Sequence, residues 1–360
     1  MDCRVVHAHL RPGCRVLAVS DVHGAPELLR RVLNKLDYRP GQDALVLVGD
    51  VTEKGPDSLG ALRLAMELAK KPNVWVLRGN CDGLYLTEDQ AQLASWLASR
   101  DDLLFWELCR ALGIAREEAL ADTAAAAARF RAEYPAEMAF LDGLPHILET
   151  EEYLFAHAGL SAWAETDAQD AEFVLGAPAF YQTAPAFPKL LTVGHWPVCN
   201  FSAEVCDLSP RYDAVRRVLA IDGGNGVKEG GQLNGVVLQD GVYKRYVCVD
   251  GLGRAQVLRP QKESGQSGFF FWPDYDVEVL EEAGGEALCV HKASGRTFRI
   301  PVALLVRGER GARLAGDYTD HRPALRAGDR VSVVRRCGEQ ALIKKESRLG
   351  WVPAQQLLFL

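Results

Sequence analysis

Three short stretches of the sequence each end an apolar run with side chains that bind metal ions. VLAVSDVHG carries Asp21 and His23, LVLVGDVTEKG carries Asp50, and WVLRGNCDG carries Asn80. Each apolar run predicts a buried strand, with the polar residues at its carboxyl end. Carboxylate, imidazole and amide oxygen together suit Mn, Fe or Zn better than calcium. The pattern therefore predicts a transition-metal site, which would be dinuclear if Asp50 bridged two ions.

An alternative is that these Asp and Asn residues cap the helices that follow the strands. One such cluster alone would favour capping. Three clusters in order, each with a glycine, favour a metal site, because a motif gains weight from its structural context. His157 in YLFAHAGL and His195 in KLLTVGHWPV each follow another predicted strand and add two imidazole donors.

Predicted strands and helices alternate between these motifs. APELLRRVLNKL follows Gly24 and PDSLGALRLAMELAKK follows Asp50, both with apolar residues at helical spacing. The order strand, ligand loop, helix, strand predicts parallel strands with right-handed crossovers. Residues 88–140 are predicted to be mostly helical. The run NGVVLQ, DG and VYKRYVCV predicts a two-residue β-hairpin.

The segment IDGGNGVKEGGQLN is rich in glycine and could be mistaken for a nucleotide-binding loop. It lacks both the Lys-Ser/Thr ending and the GxGxxG spacing of such loops. We therefore interpret it as a sharp turn under the metal site.

Composition sets outer limits on function. The chain has 360 residues, 48% hydrophobic and 25% charged, which allows one large domain and a small one. Its net charge of −7 gives no indication of a nucleic-acid groove, and no apolar run approaches a membrane span. The nine cysteines are scattered and form no CxxC pair, which is typical of reduced thiols. We expect a cytoplasmic protein that binds neither nucleic acid nor membrane.

Five motifs resemble, in order, those of calcineurin-like metallophosphoesterases: SDVHG, GDVTEKGPDSL, LRGNCD, FAHAGL and TVGHWPV. LRGN and the later glycine-rich segment resemble the phosphoprotein phosphatase branch, and the resemblance covers about residues 14–240. It implies an α/β fold, a two-sheet sandwich with flanking helices. The implied ligands are Asp21, His23 and Asp50 for one divalent ion, and Asp50, Asn80, His157 and His195 for the other.

The resemblance also implies hydrolysis of phosphate esters. Two divalent ions roughly 3.5 to 4 Å apart would activate a bridging hydroxide for in-line attack on phosphorus. The expected substrate is a phosphomonoester, carried by a protein or a small molecule. A dinucleoside polyphosphate or phosphodiester is the alternative, and a weakly active metal-binding scaffold is an alternative of another class.

Two positions depart from the family pattern. These phosphatases carry a His after the Asn, paired with an Asp, to protonate the leaving group, whereas this chain carries Cys81 and Glu53. A thiol, with an ordinary pKa of about 8.5, is a poorer acid. The Arg after the Asp50 motif is Lys54, which leaves Lys54 and Arg78 as the candidate cations for phosphate. Lysine binds phosphate as a point charge and cannot form the two parallel hydrogen bonds of an arginine guanidinium group.

Around residue 264 the composition changes, and ESGQSG predicts a flexible linker between residues 1–263 and residues 269–360. The later part has short β-rich runs and no ligand cluster, so we expect it to be dispensable for chemistry. From about residue 313 to 360, LRAGDRV and GWVPAQQL resemble an SH3-like barrel. Gln340, Ala341 and Gln356 replace the aromatic residues that line a proline-peptide groove. We expect this module either to pack against the catalytic domain or to offer a binding surface to a partner protein.

Overall fold

The computed structural model describes residues 3–83, 90–161, 166–309 and 311–360. The chain divides into two compact units. Unit 1 comprises the residues up to Val198, Pro210–Val227 and Gln232–Asp250, and unit 2 comprises Cys199–Ser209, Lys228–Gly231 and Gly251–Leu360. The last division thus falls before the boundary at 263 that composition suggests, and two short earlier segments belong to unit 2.

Unit 1 contains eleven strands and nine helices within the described residues. The strands are β1 Val5–His7, β2 Val16–Val19, β3 Ala44–Val48, β4 Val74–Leu77, β5 Ile147–Glu149, β6 Tyr153–Ala156, β7 Leu190–Val193, β8 Arg211–Asp213, β9 Val218–Ala220, β10 Leu233–Gln239 and β11 Val242–Val249. The helices are α1 Pro26–Lys35, α2 Ser58–Ala69, α3 Gln90–Ser99, α4 Leu104–Leu112, α5 Arg116–Ala121, α6 Thr123–Glu133, α7 Pro135–Gly143, α8 Ala171–Gly176 and α9 Phe180–Thr183.

These strands form two sheets. The first has the order β11-β10-β2-β3-β4, with β2, β3 and β4 parallel, and the second has the order β1-β5-β6-β7-β9-β8, with β6, β7 and β9 parallel. Val46 and Val48 of the first sheet share one buried cluster with Phe155 and Leu219 of the second. The α/β class is therefore confirmed, and the carboxyl ends of the parallel strands are free to carry polar loops.

Local sequence explains most of these elements. The strands β3 and β4 coincide with the continuous apolar runs ALVLV and VWVL. Helix α1 begins with Pro26 and buries Leu29 and Val32. It lies close to β10, because a Cβ on Gly235 would come within 2.6 Å of Val32. The predicted hairpin is confirmed between β10 and β11, where Asp240 and Gly241 have φ of 54° and 69°.

Unit 2 is built from strands joined by turns and short 3-10 helices. The strands are β12 Gly253–Val257, β13 Phe269–Phe270, β14 Asp276–Ala283, β15 Glu286–His291, β16 Thr297–Pro301, β17 Leu305–Gly308, β18 Gly311–Leu314, β19 Tyr318–Thr319, β20 Arg330–Cys337, β21 Gln340–Lys345, β22 Arg348–Pro353 and β23 Leu357–Phe359. Two five-stranded sheets have the orders β16-β15-β14-β18-β17 and β22-β21-β20-β12-β23.

The two sheets of unit 2 repeat one arrangement. In each, three antiparallel strands end at a proline, Pro301 or Pro353, and a 3-10 turn leads into the next strand. The first strand of each has a register irregularity, after Val279 in one and after Val333 in the other. Sequence analysis missed this internal repeat. The SH3-like identification of residues 313–360 stays a prediction.

The ESGQSG segment is held within unit 2. The backbone N–H of Ser264 donates to Arg322 O at 2.9 Å, and the Ser267 hydroxyl lies 3.1 Å from His321 Nδ1. Gly268 N–H donates to the Asp320 carboxylate at 2.6 Å. The structure therefore differs from the predicted flexible linker, since backbone and side-chain hydrogen bonds fix the segment.

A search of the described ranges for a membrane-crossing helix found none, because every helix there is too short or too polar.

Candidate metal centre

The proposed ligands lie in loops at the carboxyl ends of β2, β3, β4, β6 and β7. Four of them, Asp21, His23, Asp50 and His195, have φ of 55°, 44°, 51° and 66°. Non-glycine residues in this left-handed region cost of order 1 to 3 kcal/mol each, and such strain clusters at functional sites. Hydrogen bonds between the loops stabilise this strained backbone conformation. For example, His23 N–H donates to Asp50 O at 2.9 Å.

One group of donors surrounds the amide oxygen of Asn80. The Asn80 Oδ1 atom lies 2.9 Å from His157 Nε2 and 3.0 Å from His195 Nδ1. The Oδ1 atom of Asp50 lies 3.4 Å from His157 Nε2. These four side chains, which the sequence places up to 145 positions apart, therefore converge on one point.

A second group lies on the other side of Asp50. His23 Nε2 is 3.7 Å from Asp50 Oδ2 and 3.9 Å from Asp21 Oδ1. The other oxygen of Asp21 accepts the backbone N–H of His195 at 3.1 Å. Asp50 thus presents one carboxylate oxygen to each group, which is the position of a bridging ligand.

The hydrogen bonds of the imidazoles orient their lone pairs toward these points. His157 Nδ1 lies 2.9 Å from Val48 O and His23 Nδ1 lies 3.3 Å from Thr52 O. A carbonyl only accepts, so Nδ1 carries the proton in both rings and Nε2 presents a lone pair. In each group this lone pair faces carboxylate or amide oxygens. A cation is the species that such a donor set fits.

Burial also shifts the pKa values of the ligand side chains in a way that favours a bound cation. Burial, and then the Asp50 carboxylate, raises the pKa of Asp21 to about 8. Burial lowers the pKa of His23 to about 3, with Lys54 adding to the effect, and lowers that of His195 to about 4. The imidazoles of His23 and His195 are therefore neutral at pH 7 and ready to act as ligands. A divalent ion would restore the charged form of Asp21.

Cys81 and Lys54 lie beside Asp50. Cys81 is fully buried, and its backbone N–H donates to Asp50 Oδ1 at 2.8 Å. Burial first, and Asp50 second, raises the pKa of the Cys81 thiol well above its usual range. Lys54 Nζ lies 4.0 Å from Asp50 Oδ2 and 6.0 Å from the centre of the Trp96 ring. Burial opposes its charge, but Cys81 and Asp50 raise the pKa of Lys54 above its usual range.

Glu53 and Arg78 each have a contact outside the set of proposed ligands. Glu53 Oε2 accepts the backbone N–H of Leu104 at 2.7 Å, at the start of α4, and burial raises its pKa to about 8. Arg78 is buried, and its backbone N–H donates to Pro145 O at 2.7 Å. After burial, Arg78 contributes to lowering the pKa of His146 to about 4. The catalytic role of Glu53 and the phosphate-binding role of Arg78 stay predictions.

The structure adds Asp82, which sequence analysis did not select. Its carboxylate accepts hydrogen bonds at 3.0 Å from the backbone N–H groups of Val51, Thr52 and Gly79, and from the Thr52 hydroxyl. It therefore ties the loop after β3 to the loop after β4. The GNCD motif contained this residue, but only the approach of the two loops reveals its partners.

Asn225, from the glycine-rich segment, also contacts a ligand loop. Its side-chain amide donates to Val22 O at 2.8 Å, between the two ligands of the first motif. Gly226 has φ of 68°, and a Cβ there would lie 3.0 Å from the Cβ of His23. Glycine is therefore required for this close approach, which agrees with a turn under the site and not with a phosphate loop.

Comparison with known proteins gives partial matches. The symmetrical bis(5'-nucleosyl)-tetraphosphatase of Legionella pneumophila (strain Corby) is 28% identical over 135 residues, covering 28% of this chain and 49% of that protein. Serine/threonine-protein phosphatase 1 of Salmonella typhimurium (strain LT2) is 37% identical over 90 residues, covering 24% of this chain and 39% of that protein. The chain spans about half the length, or less, of these curated relatives.

A solved protein serine/threonine phosphatase from Saccharomyces cerevisiae is 12% identical, with a TM-score of 0.44, covering 69% of this chain and 83% of that one. Residues 14–215, more than half of the chain, match the sequence family described as calcineurin-like phosphoesterase. The chain belongs to the calcineurin-like phosphoesterase family, which uses a dinuclear divalent metal centre.

Proposed function

We propose that this chain hydrolyses phosphate esters with two divalent metal ions and takes a phosphomonoester, on a protein or a small molecule, as its substrate. The observation that carries the proposal is the position of Asp50. Its Oδ1 lies 3.4 Å from His157 Nε2 and its Oδ2 lies 3.7 Å from His23 Nε2, so two donor groups share it. The similarity to a serine/threonine phosphatase, of the branch that the motifs resemble, supports the substrate class.

Each ion has its own proposed ligands. One would be held by Asp21, His23 and Asp50, and the other by Asp50, Asn80, His157 and His195. Mn, Fe and Zn all suit this mixture of carboxylate, imidazole and amide oxygen. When bound, such a pair supplies a Lewis acid for the phosphoryl oxygens and a water of lowered pKa as nucleophile.

The surrounding residues bind and orient the substrate. Lys54 stays charged across the physiological range, since Cys81 and Asp50 raise its pKa. Its ammonium, 4.0 Å from Asp50 Oδ2, would bind a phosphoryl oxygen as a point charge. Arg78 would be a second cation. Asn80 and the imidazoles fix the geometry of the centre, and the hydrogen bonds of Asp82 and Asn225 hold their loops.

A dinucleoside polyphosphate is the second candidate substrate, and Cys81 is the observation that favours it. An alkyl leaving group needs a proton in the transition state, and position 81 carries no imidazole to supply it. The leaving group of a phosphoanhydride is itself a phosphate, which needs little protonation. The similarity to a symmetrical bis(5'-nucleosyl)-tetraphosphatase points in the same direction.

For unit 2 we propose an SH3-like module at residues 313–360 that offers a surface to a protein partner. The order of three antiparallel strands, a 3-10 turn and a last strand, β20 to β23, supports it. We place the protein in the cytoplasm, because all nine cysteines are free thiols.

Turnover of three substrates by the metal-supplemented full chain tests these proposals. With Mn, we expect hydrolysis of an aryl phosphate and compare kcat/KM for a phosphoserine peptide and for diadenosine tetraphosphate. A higher value for the dinucleotide would favour the second candidate. No hydrolysis of any of the three with Mn, Fe or Zn would contradict a phosphoesterase.

A further inference from the structure

We infer that the sulfur of Cys81 is a ligand of the ion proposed for Asp21, His23 and Asp50. The inference rests on the two-ion centre proposed above and adds a fourth, softer donor to one of its ions.

The geometry begins with one buried triad. The Sγ of Cys81, a ring nitrogen of His23 and a carboxylate oxygen of Asp50 all lie within 4.8 Å of one another, and all three residues are buried. Ligand bonds of about 2.3 Å to sulfur and about 2.1 Å to nitrogen put two donors of one tetrahedral ion about 3.6 Å apart. His23 Nε2 already lies 3.7 Å from Asp50 Oδ2. A shift of the sulfur by at most about one ångström therefore brings all three donors onto one ion.

The backbone fixes the sulfur in this position. Cys81 N–H donates to Asp50 Oδ1 at 2.8 Å, so the shared carboxylate anchors the residue that follows Asn80. The Cys81 side chain has no exposed surface. The thiol is therefore enclosed beside the ligand cluster and away from water.

The neighbours of the sulfur match a metal-bound thiolate. Asn80 Nδ2 lies 3.6 Å from Cys81 Sγ. The amide N–H is a donor, so on this side the sulfur acts as an acceptor. Sγ also lies within 4.8 Å of a carboxylate oxygen of Asp50. An ion placed there replaces the S–H proton that otherwise lies between sulfur and oxygen.

Binding of the ion exchanges the thiol proton of Cys81 for the metal. The metal–sulfur bond forms as the S–H bond breaks, and the proton leaves to solvent. The first ion then has one thiolate, one imidazole and two carboxylates, while the second keeps only nitrogen and oxygen donors. Thiolate favours Zn, Co and Fe over Mn, so the two positions differ in metal preference. A metal-bound sulfur also leaves no thiol proton for a leaving group.

Cobalt absorption of the full-length chain tests the inference without relying on activity. With two equivalents of Co²⁺, the wild-type protein should show a thiolate-to-cobalt charge-transfer band in the near ultraviolet. The band should disappear in both Cys81→Ser and Cys81→Ala. It should persist in Cys109→Ala, the control, because Cys109 is buried in the apolar cluster around α4. Thermal melting confirms that each variant is folded.

A competition between metals gives the second readout. Cys81→Ser should lower the affinity for Zn about tenfold or more, with a smaller effect on Mn. Two cobalt ions bound per chain without a charge-transfer band would overturn the inference and leave the proposed function intact. A wild-type chain that binds no cobalt, zinc or manganese would overturn both.

Discussion

Glu53 is a buried carboxyl group whose protonation differs between the folded and unfolded chain. Its side chain is 1% exposed and accepts the N–H of Leu104, and burial raises its pKa from 4.5 to about 8. The folded state therefore binds the proton more tightly than the unfolded state. The stability that Glu53 contributes is complete below about pH 4.5 and is lost as the pH rises through 8.

We expect Glu53→Gln to remove this dependence, because the amide is neutral at every pH. Denaturant unfolding at fixed metal concentration from pH 5 to 9 should show the variant gaining stability relative to wild type as the pH rises. Glu117→Gln, at the exposed start of α5, is the matched control. Parallel curves for Glu53→Gln and wild type would contradict the buried, protonated carboxyl group.

Lys54 should contribute to substrate binding through its charge. A hydrogen bond to a charged group is worth roughly 1.5 to 3 kcal/mol, so Lys54→Met should lower kcat/KM for an aryl phosphate roughly ten- to a hundredfold. Lys54→Arg should keep part of the activity, since the charge remains. Lys71→Met, an exposed lysine after α2, is the control. If Lys54→Met had wild-type kcat/KM, the ammonium would not bind the phosphoryl group.

The single residues show what the sequence could predict. Asp21, His23 and Asp50 were recognisable because each follows an apolar run and belongs to a short motif. Asp82 was not, because its four hydrogen-bond donors come from two loops whose approach depends on the pairing of β3 with β4. The contact of Glu53 with α4 was hidden for the same reason.

At the scale of elements, the loops after β3 and β4 depend on the Asp82 carboxylate. Its Oδ1 accepts from Val51 and Thr52, and its Oδ2 accepts from Gly79. An asparagine offers one oxygen, so Asp82→Asn leaves at least one buried N–H without an acceptor. We expect a loss of about 1 to 3 kcal/mol in unfolding free energy and a metal affinity lowered about tenfold or more.

Chemical unfolding and a calorimetric Mn titration measure the two effects of Asp82→Asn. The control is Asp122→Asn, because Asp122 caps the exposed start of α6 and asparagine caps equally well. A variant that loses stability but binds Mn with wild-type affinity would show that Asp82 does not position the ligand loops.

Elements with strong local signals were predictable, and those defined by distant pairing were not. The strands β3 and β4 coincide with the apolar runs that predicted them, because a short uninterrupted apolar run favours a buried strand. The ESGQSG segment has the composition of a linker, yet Arg322, Asp320 and His321 bind it. Composition describes the segment alone and not these partners.

At the scale of the whole molecule, unit 2 includes residues 199–209, which lie in sequence between His195 and β8. Cys199 and Leu208 are fully buried in one cluster with Phe269 and Trp351. Leu208 N–H also donates to Ser347 O at 2.9 Å. The expectation that the C-terminal region is dispensable came from its lack of ligand motifs, which says nothing about the apolar residues that it covers.

A chain that ends near Gly265 should therefore expose the 199–209 segment. We expect such a truncation to aggregate, or to be cleaved between residues 199 and 209 by a protease that leaves the full chain intact. Size-exclusion chromatography and limited proteolysis of both chains give the comparison. A monodisperse truncation that resists the protease and hydrolyses an aryl phosphate at the full rate would contradict this expectation.

The central claim is that Asp50 bridges two metal ions, and a metal count of the Asp50→Asn variant tests it most directly. Full-length wild type, Asp50→Asn and Asp43→Asn are loaded with Mn, freed of unbound ions by gel filtration and measured by inductively coupled plasma mass spectrometry. Asp43 is the control, because it is a buried aspartate next to the opposite end of β3, paired with Arg15.

We predict two ions per chain for wild type and Asp43→Asn, and loss of most of the metal and nearly all aryl phosphate hydrolysis in Asp50→Asn. Two ions still bound to Asp50→Asn, with unchanged hydrolysis, would contradict the bridged centre.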